Sequence, residues 1–326
     1  MIYTKVKGRL GNQMFYYAIA RKIQSISKNE QKLYFDFSGV LQQGDEKEGF
    51  EDSLKYFNTV EYQKNDTEHT KISLKKQGTI IQKIIYAGFK ILMKLKNKHM
   101  QTVQWKYQLF MNKVGGVYMA IPAICPQRIY TEIKSSGEKD IFVDGCYENS
   151  RWFNDMKTEL QKEFTPRFSK IEDNKKLYDV IENTESVCVS IRRGDYVNNL
   201  ENEKIFNICS QEYYLKAIAI MQEKIENPVF VIFSDDIEWA RENIKIEGKV
   251  FFETGKDPVW EKLRLMYSCK HFIISNSTFS WWAQYLSRNS EKIVISPNIW
   301  FKPNIEWPLI EPSFLTIDMR RVEQKR

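Results

Sequence analysis

An apolar, β-branched run, Val187-Cys188-Val189-Ser190-Ile191, stops abruptly at Arg192-Arg193-Gly194-Asp195-Tyr196. So short and apolar a run predicts a strand buried on both faces, as in a parallel sheet covered by helices. The charged residues at its end then fall at the carboxyl edge of the sheet, where open α/β sheets bind ligands. The pattern recurs twice. Val229-Phe230-Val231-Ile232-Phe233 runs into Ser234-Asp235-Asp236, and His271-Phe272-Ile273-Ile274-Ser275 runs into Asn276-Ser277-Thr278-Phe279. Gln211 to Glu226 and Ile237 to Ile244 read as helices, a helix reaches Leu286, and Lys292 to Ser296 closes the sheet. Strands alternating with helices predict a doubly wound parallel domain with right-handed crossovers.

A chain of 326 residues is too long for one ordinary core and suits two domains of about 150 residues. Ile2 to Lys7 alternates as a short strand does, Gly8-Arg9-Leu10-Gly11-Asn12-Gln13 is a glycine-flanked turn, and Met14 to Ile23 reads as a buried helix. With a second strand over Leu33 to Phe37, these elements predict a Rossmann-like opening, although G-x-x-G alone carries little weight. Arg151 to Phe164 reads as a helix stopped by Thr165-Pro166, which places the boundary between domains 1–165 and 166–326. The last helix or tail is allowed to return to the first domain.

The five cysteines, Cys125, Cys146, Cys188, Cys209 and Cys269, are scattered, and only three histidines are available to join them. That excludes a disulfide framework or structural zinc site and implies a reducing compartment. The amino terminus lacks an apolar signal region, and no run of about 18 apolar residues occurs. The expected location is cytoplasmic, with peripheral association at the inner face of the cytoplasmic membrane as one reading. The net charge of +7 is concentrated between His69 and Thr131, a stretch without Asp or Glu. Thr79 to Lys98 has helical periodicity there, with Ile81, Ile84, Ile85, Leu92 and Leu95 along one side. Three readings fit segment 69–131: a solvated helix packed on the first domain, a surface for anionic lipid headgroups, or a contact for an acidic saccharide. The absence of a recognised module argues against nucleic acid.

If the strands are parallel, the three polar clusters converge on one edge. Each has a plain alternative: Ser234, Asp235, Ser277 or Thr278 can cap a helix, and paired arginines are often surface charge. Their coincidence at equivalent strand ends favours chemistry. Arg192 and Arg193 can fork onto phosphate oxygens, and a helix opened by Ser277 and Thr278 receives anions. Asp235 or Asp236 can accept hydrogen bonds from a guanine edge or a ribose. Adjacent aspartates also occur at divalent-metal sites, but the spacing is not D-x-D, and two arginines with a helix terminus can carry a diphosphate's charge, so no metal is expected.

Gly8-Arg9-Leu10-Gly11-Asn12-Gln13-Met14-Phe15, Arg192-Arg193-Gly194-Asp195-Tyr196, Phe233-Ser234-Asp235-Asp236 and Asn276-Ser277-Thr278-Phe279-Ser280-Trp281-Trp282 together resemble the bacterial α-1,2-fucosyltransferases of glycosyltransferase family 11, in the family's order. The resemblance implies an α/β, GT-B-like fold of two Rossmann-like domains facing across a cleft, with acceptor-side and donor-binding roles for the first and second. It implies metal-independent, inverting transfer of L-fucose from GDP-β-L-fucose to the 2-hydroxyl of a terminal galactose on a bacterial glycan. By the same resemblance Arg192, Asp195 and Asn12 are catalytic candidates. Gly11, Asn12, Ser190, Arg192, Arg193, Asp235, Asp236, Asn276, Ser277, Thr278 and Phe279 are implied to contact the donor. Asp195 has the chemistry of a general base and equally of an orienter for the arginines. The family motif usually has histidine where this chain has Ser190, which cannot carry charge. Two alternatives remain: a fucosyltransferase of different linkage or acceptor, and a catalytically silent sugar-nucleotide or glycan-binding protein, for which Ser190 is the support.

Overall fold

The computed structural model describes residues 1–27, 31–65, 80–81, 84, 87–88, 91, 117–118, 141–143, 147–302 and 307–319. The chain divides into two compact units, the first of Met1–Lys55 and Thr59–Glu163, the second of Tyr56–Asn58 and Phe164–Arg326. Tyr56–Asn58 belongs with the second because Phe57 bridges Pro166, and Asn58 N–H donates to the Thr165 carbonyl at 3.0 Å. Most of segment 69–131, with Cys125, Ile85, Leu92 and Leu95, lies outside the described residues. Residues 80, 81, 84, 87, 88 and 91 are helical, and Ile81 and Ile84 are exposed rather than packed.

The first unit is built on a parallel five-stranded sheet ordered β3-β2-β1-β5-β4. Its strands are β1 Ile2–Lys5, β2 Leu33–Asp36, β3 Tyr62–Asn65, β4 Val117–Tyr118 and β5 Ile141–Val143. β1 is central, pairing Ile2 with both Leu33 and Ile141. The helix after it, α1 Leu10–Ile26, buries Met14, Phe15, Ala18, Ile19 and Ile23, the side its apolar spacing selects. α1 starts four residues before the expected Met14, so Gly11, Asn12 and Gln13 form its first turn. α2 is Ser38–Leu41, and α3, Lys157–Glu163, ends the unit. The helix expected from Arg151 begins instead as 3₁₀ turns at Ser150–Trp152 and Asn154–Met156, separated by Phe153 at φ −142°. Trp152 and Phe153 are both fully buried, and this break lets two adjacent rings enter the core. α3 is tied to α1 by Glu163, which accepts from Tyr17 Oη at 2.7 Å and Arg21 Nη2 at 2.6 Å.

The second unit has six parallel strands: β6 Glu185–Ile191, β7 Pro228–Ser234, β8 Lys249–Phe252, β9 His271–Ile273, β10 Val294–Pro297 and β11 Leu315–Ile317. Their order, β11-β10-β9-β6-β7-β8, is that of a doubly wound dinucleotide-binding sheet. The helices are α4 Lys175–Asn183, α5 Gly194–Asn198, α6 Leu200–Phe206, α7 Gln211–Lys224, α8 Ile237–Asn243, α9 Val259–Ser268 and α10 Thr278–Leu286. β6 and β7 are buried along almost their whole length, which is why they read as unbroken apolar runs. Val187, Val189 and Ile232 pack with Tyr213, Ala217 and Met221 of α7. Described residues up to Met319 stay with this unit through β11, which pairs with β10.

Candidate functional site

Strand order changes direction between β6 and β9, and the crevice outside their carboxyl ends is where such a sheet receives a ligand. At the β6 end, Arg192 is held from two sides. Its Nη2 donates to Asp195 Oδ1 at 2.5 Å, and its Nη1 lies 2.9 Å from Asp235 Oδ2. Burial would lower the guanidinium pKa, but Asp235 and Asp195 outweigh it and hold the pKa above its ordinary value. The guanidinium also lies 5.4 Å over the Tyr196 ring. Arg193 is fixed by its neighbours: the backbone N–H donates to Asp235 Oδ1 at 2.8 Å, and Nε lies 3.3 Å from Asp236 Oδ2. Its guanidinium covers the Trp239 ring at 3.8 Å. Gly194 makes this approach possible, because a Cβ there would stand 2.5 Å from Asp235 Oδ2.

The two aspartates of the β7 end therefore have different duties. Asp235 organises the arginine turn. Asp236 caps α8, accepting from Trp239 N–H at 3.2 Å, while Ser234 Oγ accepts from Asp236 N–H at 3.0 Å. Two guanidinium groups thus stand among three carboxylates, and an incoming diphosphate needs further donors.

The β9 end supplies them. α10 begins with Ser277 as its cap, whose side chain makes no capping bond, and the positive end of the helix dipole, which attracts anions, lies at this edge. Thr278 and Phe279 are half-buried beside that end. Asn276 is turned the other way. Its Nδ2 donates to the carbonyls of Phe206 and Trp300 at 2.9 and 3.0 Å, and its Oδ1 accepts from Cys209 Sγ at 3.5 Å. At 1% exposure it is a brace between loops. Tyr196 Oη joins it by donating to the Asn276 carbonyl at 3.2 Å.

Ser190, next to the last residue of β6, meets Ser280 of the first turn of α10 with 2.6 Å between hydroxyls, and Ser280 lies 3.0 Å from Ser275 Oγ. The sequence reading missed Ser275 and Ser280. It also missed Trp239 and Tyr196 as supports for the arginines, although Tyr196 lies in the motif and Trp239 follows Asp236 by one helical turn.

In the first unit, Gly8 takes a left-handed φ of 73°, and a Cβ there would fall 2.5 Å from Asn12 Nδ2. Asn12 is half-buried in the first turn of α1, at the carboxyl edge of that unit's sheet, and Gly11 is buried beside it. Gln13 locks the turn: Nε2 donates to the Gly8 and Glu51 carbonyls at 3.0 and 2.7 Å, and Oε1 accepts from Ser53 N–H at 3.0 Å. The structure thus assembles Ser190, Arg192, Arg193, Asp195, Asp235, Asp236, Ser277, Thr278 and Phe279 in the second unit, and Gly11 and Asn12 in the first.

Among the described residues no group of three or more His, Cys, Asp or Glu side chains is placed to hold a metal ion. A cavity of about 710 Å³ lies at the opposite, amino edge of the second sheet, lined by residues including Glu185, Lys224, Asn227 and His271.

Comparisons with known proteins bear on the family and the fold. The chain is 30% identical over 308 residues to an α-1,2-colitosyltransferase of Escherichia coli, covering 93% of both chains. It is 35% identical over 104 residues to galactoside α-(1,2)-fucosyltransferase 1 of Leontocebus fuscicollis, covering 31% of this chain and 28% of the other. The fold is similar to the crystal structure of the fucosyltransferase NodZ from Bradyrhizobium, with a TM-score of 0.50, 11% identity, and coverage of 87% of this chain and 91% of that one. The model of glycosyl transferase family 11 matches residues 1–306, nearly the whole chain, and the protein belongs to that family.

Proposed function

We propose that this protein transfers L-fucose from GDP-β-L-fucose to the 2-hydroxyl of a terminal galactose on a bacterial glycan, with inversion and without a metal. The observation that carries the reading is Arg192, fixed between Asp195 and Asp235 at the β6/β9 crevice, where α10 also begins. Inversion requires in-line attack by the acceptor hydroxyl as the bond to GDP breaks. Negative charge then grows on the departing diphosphate, and preorganised donors aimed at it lower the barrier. Arg192 is such a donor, and the positive end of the α10 dipole lies at the same edge. Asp195 fits the orienter's part, because its carboxylate is engaged by Arg192.

A galactoside acceptor is favoured by the partial likeness to a galactoside α-(1,2)-fucosyltransferase. The colitosyltransferase likeness, which spans both chains, favours a second reading in which a colitosyl donor replaces the fucosyl donor. The test is GDP release from GDP-fucose, with and without lactose, in the presence of EDTA. Lactose-stimulated release is expected. No release from GDP-fucose under any acceptor, or no binding of it, would sink the first reading, and release from a colitosyl donor instead would establish the second.

A further inference from the structure

Three buried hydroxyls cross the β6/β9 crevice, and their order fixes a direction. Ser275 is 0% exposed, Ser280 2% and Ser190 5%. Ser280 Oγ is within hydrogen-bond distance of both others, while Ser190 and Ser275 have only Ser280 as side-chain partner among the described residues. A buried O–H left without an acceptor costs the full desolvation of that group. Ser275 has one place to send its hydrogen, and that is Ser280. Ser280, having accepted, satisfies its own hydrogen only by donating to Ser190. The hydrogen left over is that of Ser190, the least buried of the three. It stands two residues before Arg192 at the carboxyl end of β6, against the first turn of α10.

We propose that Ser190 is a neutral hydroxyl donor to the diphosphate of the nucleotide, with Ser275 and Ser280 as positioning residues that hold its hydrogen outward. The proposal rests on the donor assignment above and deepens it. Its logic is electrostatic as well as geometric. The two arginines are partly matched by Asp195, Asp235 and Asp236, so dipoles must join Arg192 in meeting added phosphate charge: the amino-terminal end of α10 and this hydroxyl chain. Each donor polarises the next, so Ser190 donates more strongly than an isolated serine. The chain thereby supplies a donor at a position where it lacks an imidazole, and one that holds no proton to lose near neutral pH.

The experiment is calorimetric titration of the full chain with GDP and with guanosine, for wild type, Ser190→Ala and Ser190→Thr. A hydrogen bond to a charged group sets the expected loss at about tenfold or more in GDP affinity for Ser190→Ala. Guanosine affinity is expected to stay unchanged, and Ser190→Thr, which keeps the hydroxyl on a strand-compatible side chain, to retain GDP binding. Undiminished GDP affinity in Ser190→Ala, or an equal loss for guanosine, would overturn the proposal. A wild-type protein that binds guanosine and GDP equally would overturn it too. No binding of either by wild type would instead bring down the donor assignment on which it rests.

Discussion

Arg192 and Asp195 form one device, and their variants should fail differently. Removing one preorganised charge partner costs on the order of 100- to 1000-fold in rate, so Arg192→Ala is expected to lose at least that much in kcat; near-normal turnover would refute its role. As an orienter, Asp195 holds a guanidinium that Asp235 also holds. Asp195→Asn is therefore expected to cost about tenfold, in keeping with one charge-assisted hydrogen bond, and to leave the acid limb of the pH–rate profile in place. Loss of that limb would make Asp195 the base. At this scale the sequence was legible where a residue type has one use. Paired arginines at a buried strand end have few reasons to be there. It was illegible where a side chain has two directions to point: nothing in N-S-T says that Asn276 turns inward while Ser277 makes no capping bond, and nothing in S-D-D says which aspartate caps the helix.

Among elements, the informative feature is how the loops at the carboxyl edge are stapled together. Asn276 joins the end of α6, through Phe206, to the segment after β10, through Trp300, while Cys209, just before α7, donates to its side-chain Oδ1. Burial raises the Cys209 thiol pKa to about 12, so it remains a neutral S–H donor. Replacing Asn276 by Ala leaves two carbonyls without this donor, and each buried unsatisfied acceptor costs about 1–3 kcal/mol. Asn276→Ala is therefore expected to lower unfolding stability by about 2 kcal/mol or more in urea titrations. A stability unchanged with GDP affinity lost would show instead that Asn276 touches the nucleotide. The strands β6, β7 and β9 could be read in advance because they are apolar and bounded by charge. β8 could not, since Lys249–Phe252 lies at a sheet edge with alternate residues exposed. β11 has only three residues, two of them exposed. The early start of α1 was hidden as well. Gly11 looks like a turn residue, and the helix opens after Arg9 with no side-chain cap to announce it.

On the scale of the whole molecule, each unit carries its own parallel sheet and its own buried core, and the arginines, aspartates and serines of the proposed donor site belong to the second, Gly11 and Asn12 to the first. The α/β class was legible in the alternation of strands and helices, because each βαβ repeat brings its strand ends to one edge whatever lies between them. Which residues join which unit was less so: Tyr56–Asn58 joins the second unit through pairing with residues 165–167, a long-range contact that no local pattern encodes. Ligand linkage turns the division into a measurement. A ligand at one hundred times its dissociation constant stabilises the state that binds it by about 2.7 kcal/mol. For a core of this size that corresponds to a rise of about 5 to 10 °C. Scanning calorimetry of the full chain is therefore expected to show two transitions, of which saturating GDP raises one by that amount and leaves the other in place. In Arg192→Ala the shift should shrink, while the transition that GDP does not touch keeps its midpoint. If GDP raised both transitions together, nucleotide binding would have to draw on both cores, and the placing of most of the nucleotide's binding energy in the second unit would fall.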